Sequence, residues 1–135
     1  TILKPSEPIM KTIRLLAALA FAAASSFAQA LDIAPWTAAD FAQHQAAGKA
    51  VALHFHADWC PTCKAQEKVF NGWRGDAAVP GQLLVVDYDK ARDLRRQLGV
   101  RMQSTLIIFK GSKEVARLAG DTDPASLRAA LEAAR

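Results

Sequence analysis

Apolar and polar positions along the chain follow two different periods, and each change of period marks an element. Ala50–Phe55 is an apolar run broken only by His54, which predicts a buried central strand. Leu83–Tyr88 is a second β-rich run, and Thr105–Phe109 with Glu114–Leu118 predict a hairpin turning at Gly111-Ser112. Helical spacing fills the intervals. Thr37-Ala-Ala-Asp40 has the form of a capping box and opens a helix over 37–47 that stops at Gly48. A second helix runs from Cys60 to about Phe70, with Ala65, Val69 and Trp73 as its expected apolar stripe and Lys64, Glu67 and Lys68 outward. Residues 71–81 carry Gly72, Gly75, Pro80 and Gly81 and read as a loop with at most one helical turn. Ala91–Leu98 is a short helix closed by Gly99, and Asp123-Pro124 supplies an N-cap and a first-turn proline for a last helix. The order α-β-α-β-α-β-β-α predicts an α/β domain: a mixed central sheet of about four to five strands, flanked by helices on both faces.

The N-terminal stretch has neither period. Met10-Lys-Thr-Ile-Arg14 is basic, Leu15–Ala24 is apolar, and Ala28-Gln29-Ala30 offers a small-x-small cleavage site. These three parts read as a secretory signal peptide cleaved near Ala30/Leu31, preceded by an upstream extension over residues 1–9. The apolar run falls short of the roughly 20 residues that span a bilayer, so an uncleaved anchor is disfavoured. The expected organisation is therefore a leader over 1–30 and one domain over 31–135, delivered to the periplasm. The leader holds Lys4, Lys11, Arg14 and Glu7; without it 14 basic and 12 acidic side chains remain, and the formal charge falls from +4 to +2. Arg92, Arg95 and Arg96 cluster on a predicted helix and read as its solvated face. No aromatic interleaving accompanies them, so no nucleic-acid partner is expected. A monomer is expected.

The chemistry concentrates at Cys60-Pro61-Thr62-Cys63, which holds both cysteines of the chain where a strand gives way to a helix. Positions i and i+3 of a helix start share a face, so the two sulfurs can bond with little backbone movement. The unpaired N–H groups and positive dipole end of that turn favour a thiolate on Cys60, at the exposed helix end, while Cys63 lies deeper. Such a pair can be reversibly oxidised. A permanent disulfide or half of a metal site is the alternative for the same spacing. His54 and His56, two apart on one strand, share a face beside the cysteine helix, so Cys60, Cys63, His54 and His56 form a possible copper or zinc set.

The run Ala57-Asp58-Trp59-Cys60-x-x-Cys63-Lys64-x-x-Glu67-Lys68, with the Thr105 strand and Gly120, resembles the active site of the thioredoxin family. It is most similar to periplasmic thioredoxin-like domains such as the C-terminal domain of DsbD-type electron-transfer proteins. The resemblance covers about Trp36 to the C-terminus and implies a thioredoxin fold. It implies a thiol–disulfide oxidoreductase, expected to run as a reductase, whose redox-active disulfide needs no cofactor. Cys60 would attack a client disulfide and Cys63 would resolve the intermediate. Partners implied are protein thiols and disulfides, and a membrane electron donor of the DsbD or CcdA type. Trp59, Gln103, Ser104 and Thr105 would contact the client. Three positions depart from the family. His54 stands where a buried Asp usually relays the proton of the second cysteine, and Val85 stands where a buried Lys accompanies that Asp. A neutral imidazole needs no counter-cation, so the two changes are mutually consistent. His54 is accordingly the candidate acceptor for the Cys63 proton. Ser104 replaces the family's cis-proline, and a non-proline cis bond costs roughly 2.5–4 kcal/mol, so a trans Gln103–Ser104 peptide is expected.

Overall fold

The computed structural model describes residues 29–135, so all but the last two residues of the expected 1–30 leader lie outside it. Nine elements follow in order: β1 Asp32–Pro35, α1 Ala38–Ala46, β2 Ala50–His56, α2 Pro61–Gly72, β3 Gln82–Asp87, α3 Arg92–Leu98, β4 Thr105–Lys110, β5 Lys113–Ala119 and α4 Pro124–Glu132. They build one five-stranded sheet in the order β1-β3-β2-β4-β5. β1 and β2 run parallel to β3, while β4 pairs antiparallel with both β2 and β5. Among the described residues no helix is long and apolar enough to cross a membrane.

The sequence reading lacked β1. Its four residues are too short to show a period, and Pro35 argues against a strand interior; at a sheet edge a proline removes no needed donor. Local chemistry fixes most other boundaries. Thr37 Oγ1 accepts from the Asp40 N–H at 3.0 Å, and Asp123 accepts from the Ser126 N–H at 3.2 Å, as the two cap motifs require. Gly99 ends α3 at φ +66°, a left-handed turn that glycine enters without a Cβ clash.

Strand alternation divides the core between two faces. Val51, Leu53 and Phe55 pack with Leu84, Val86, Ile107 and Phe109 beneath Phe41 of α1 and Leu94 and Leu98 of α3. Ala52 and the intervening positions face Phe70 of α2 and Leu127 and Leu131 of α4. His54 is thereby turned toward the α2 side and is 1% exposed. Along α2 the buried stripe is Cys63, Gln66 and Phe70, not the expected Ala65-Val69-Trp73. Gln66, between Ala65 and Glu67, sits one turn from Cys63 and one from Phe70, and tertiary polar partners hold it inside.

Candidate active site

The sulfur pair sits where β2 hands the chain to α2. Cys60 is the N-cap of α2 and Pro61 its first residue, so the missing proline N–H is one the helix would leave unpaired anyway. Cys60 Sγ accepts from the Cys63 N–H at 3.1 Å, which places the first sulfur over the helix mouth and beside the second residue. Both cysteines are free. Cys63 is fully buried, and its Sγ lies 3.8 Å from the Phe55 carbonyl oxygen. Burial pushes the Cys63 thiol up to about 11, the hydrogen bond with Cys60 adds to this, and backbone contacts at Ala57 and Ser104 oppose it. Cys60 is not as exposed as the helix-end position suggested: it is 1% exposed, packed with Ala57, Cys63 and the half-buried Tyr88. Trp59, the residue before it, is by contrast 59% exposed.

His54 is placed one strand position before Phe55, on the face that α2 covers. Gln66 fixes its chemistry. The Gln66 amide nitrogen donates to the Ser104 carbonyl at 3.0 Å and to the Asp121 carbonyl at 2.7 Å, so its oxygen must face His54. That oxygen lies 2.8 Å from His54 Nε2, which makes Nε2 the protonated nitrogen and leaves Nδ1 bare. Burial lowers the His54 pKa to about 4; the Gln66 bond opposes this and the neighbouring His56 reinforces it. The ring is neutral at physiological pH.

The Gln103–Ser104 peptide is trans, as expected. The loop accommodates the missing proline in another way: Ser104 takes φ +60°, the one positive φ outside glycine among the described residues. Its N–H donates to the Phe55 carbonyl at 2.8 Å, and its own carbonyl accepts from the Gly120 N–H at 3.0 Å as well as from Gln66. The loop and Cys63 therefore meet at one carbonyl, that of Phe55. Of the expected client contacts, Ser104 and Thr105 are buried, with hydroxyls turned to the Gln103 and Met102 carbonyls. Gln103 is half-buried. Trp59 is exposed, and its indole N–H donates to Asp89 at 2.8 Å. Met102, which the sequence reading passed over, is the other exposed large apolar side chain among the described residues. Its signal was position alone, two residues before the departure at Ser104.

The proposed metal set does not come together. His54 and His56 share a face, their rings 5.5 Å apart, but they line a cavity of about 580 Å³ with Trp59, Glu67, Phe70 and Arg74, whose lining excludes both cysteines. His54 Nε2 is committed to Gln66, and His56 lies between Glu67 at 3.3 Å and Asp58 at 3.8 Å. Among the described residues no three His, Cys, Asp or Glu side chains converge on a point where a cation could sit.

The thioredoxin family model matches residues 32–133. Thioredoxin-1 of Saccharomyces cerevisiae is 30% identical over 97 residues, covering 72% of this chain and 92% of its own. A thioredoxin-like protein of Fusarium culmorum is 35% identical over 88 residues, covering 61% and 73%. The crystal structure of Trxlp from Edwardsiella tarda superposes with a TM-score of 0.70 at 35% identity, covering 74% of this chain and 98% of that one.

Proposed function

The chain belongs to the thioredoxin family, and on that premise we propose that it works outside the cytoplasm as a reductase of protein disulfides. As a thioredoxin homologue it is a thiol–disulfide oxidoreductase whose redox centre is part of the protein, without a separate cofactor. The observation that carries the reading is the free pair at the mouth of α2, with Cys60 Sγ bonded to the Cys63 N–H. In the reducing direction Cys60 attacks one client sulfur as a thiolate and expels the other. Cys63 then loses its proton, attacks Cys60 Sγ and releases the client as a dithiol, so two electrons pass to the client and the Cys60–Cys63 disulfide closes.

Two features support the direction. Thr62 brings no positive charge to the pair, and burial keeps Cys63 a thiol, so the dithiol state gains nothing from a stabilised thiolate at that sulfur. The basic, apolar and small-x-small segments before Leu31 support export to the periplasm, where a reductant needs a continuous supply of electrons. The Ala-Asp-Trp-Cys-x-x-Cys-Lys run supports a membrane donor of the DsbD or CcdA type. Equilibration of the domain over 31–135 against glutathione is expected to give a potential nearer the roughly −270 mV than the roughly −120 mV end of the family range. A value at the oxidising end reverses the direction.

His54 is the proposed transit point for the Cys63 proton, through Nδ1, the nitrogen not committed to Gln66. Its low basicity means the proton passes on and does not stay. His54→Gln should slow resolution of the mixed disulfide several-fold and leave the first attack by Cys60 unchanged, measured by quenched-flow alkylation. Equal resolution rates for the two proteins from pH 6 to 9 would remove His54 from the mechanism.

A further inference from the structure

We propose that Gln66 is a positioning residue: its carboxamide clamps the loop through Ser104 in the client-docking conformation, a task that a rigid proline would otherwise perform. The inference rests on the oxidoreductase reading of the same site. Three elements that are distant in sequence meet on this one side chain, which is fully buried. Its oxygen accepts from His54 of β2, and its nitrogen donates to Ser104 before β4 and to Asp121 after β5. Both N–H donors of the amide and one lone pair of its oxygen are engaged.

The loop needs such a clamp. Ser104 is held at φ +60°, where a side chain with a Cβ is strained, and such conformations persist only when their surroundings over-determine them. Here the surroundings are the Phe55 carbonyl on the Ser104 N–H, and Gly120 together with Gln66 on the Ser104 carbonyl. Without Gln66, one of the two bonds on that carbonyl is lost, and with it the tie that α2 makes to the Ser104 carbonyl. The backbone around Ser104 then samples the ordinary negative-φ region, and Gln103 and Met102 move with it. Gln103 is half-buried and Met102 exposed, and both directly precede Ser104, whose backbone lies against the Cys63 thiol. The same amide fixes the His54 tautomer, so loop geometry and the bare Nδ1 are set by one group.

The clamp predicts a localised effect. In Gln66→Met, hydrogen-exchange protection of the Ser104 and Gly120 amides should fall at least about tenfold, while Leu53 and Ile107 in the β2–β4 ladder change less than about twofold. With native, disulfide-bonded insulin as client, KM should rise about tenfold; a fall in kcat from the lost His54 tautomer should be shared by a small aromatic disulfide, whose KM should not rise. Adding Ser104→Gly, which enters φ +60° without a Cβ, should restore most of the lost KM. If Gln66→Met does not fold, the wild-type protein decides the matter: the Gln66 side-chain amide protons should exchange through the same opening, at the same rate, as the Ser104 and Gly120 amides. Unchanged protection and KM, or a loss spread evenly over all amides with no rescue by glycine, would overturn the clamp, as would a Gln66 amide exchanging far faster than the loop in wild type. Failure of the wild-type protein to reduce insulin at all would instead overturn the reductase reading, and the exchange data would still judge the clamp by itself.

Discussion

Cys60→Ser should abolish reduction of client disulfides, lowering kcat/KM by at least about 10³-fold, whereas Cys63→Ser should convert a passing intermediate into a stable one. The asymmetry follows from the helix mouth. Cys60 Sγ caps α2 and receives the Cys63 N–H, so it is the sulfur that a client reaches first, and Cys63 lies fully buried behind it. A serine at 63 cannot complete the second exchange, so a client remains tethered through Cys60. Non-reducing gels of Cys63→Ser should show that adduct, and the double variant should show none. An adduct formed by Cys60→Ser in place of Cys63→Ser would invert the assignment. In the wild type the second step carries its own signature. With Cys63 held at about 11, its thiolate fraction at pH 8 is on the order of 10⁻³. Resolution should accelerate nearly tenfold per pH unit between 7 and 10 if bulk base takes the proton. A flatter profile that steepens on His54→Gln identifies the imidazole as the internal acceptor.

The second large effect is on stability. His54 has a folded pKa of about 4 against an ordinary 6.5, because burial penalises its charged form. The unfolded chain therefore takes up this proton first as pH falls. Above pH 6.5 the group has no effect; between 6.5 and 4 the folded state loses ground, in total by about 3 kcal/mol; below 4 no more is lost at this site. His56 is the titratable group facing it, and a charge there deepens the penalty. Urea unfolding at pH 7 and pH 4 should show the loss in wild type and a loss smaller by about that amount in His54→Leu. The leucine leaves the Gln66 oxygen without its donor at every pH, which lowers the whole curve without changing its slope. Parallel curves for the two proteins would mean that His54 titrates normally in the fold.

How much of this was legible in advance depended on whether the cause was local. Caps, the turn at Gly99, the hairpin and the buried β2 run are written in short stretches whose neighbours are also their partners, and the elements formed where those stretches lie. The cysteine pair was legible for the same reason. β1 was not, because four residues with a terminal proline owe their strand state to β3, fifty residues away. Gln66 was not, because a glutamine between Ala65 and Glu67 looks solvated, and what buries it comes from residues 54, 104 and 121. At Ser104 the sequence showed that a proline was absent and that the peptide would be trans. It could not show that the backbone would turn left-handed, since that choice is made by Phe55 and Gly120 across the fold.

The borders of the sheet have a bearing on how such a protein lives among its clients. β1 is four residues long and stops at Pro35, and β5 carries Lys113, Glu114 and Arg117 along its outer length. Neither rim offers a long, flat, uncharged ladder on which a half-folded chain could lay itself down and stay. A protein that acts on the disulfides of other proteins is thereby kept from pairing edge to edge with them, and each encounter is left to the brief covalent touch at the sulfur.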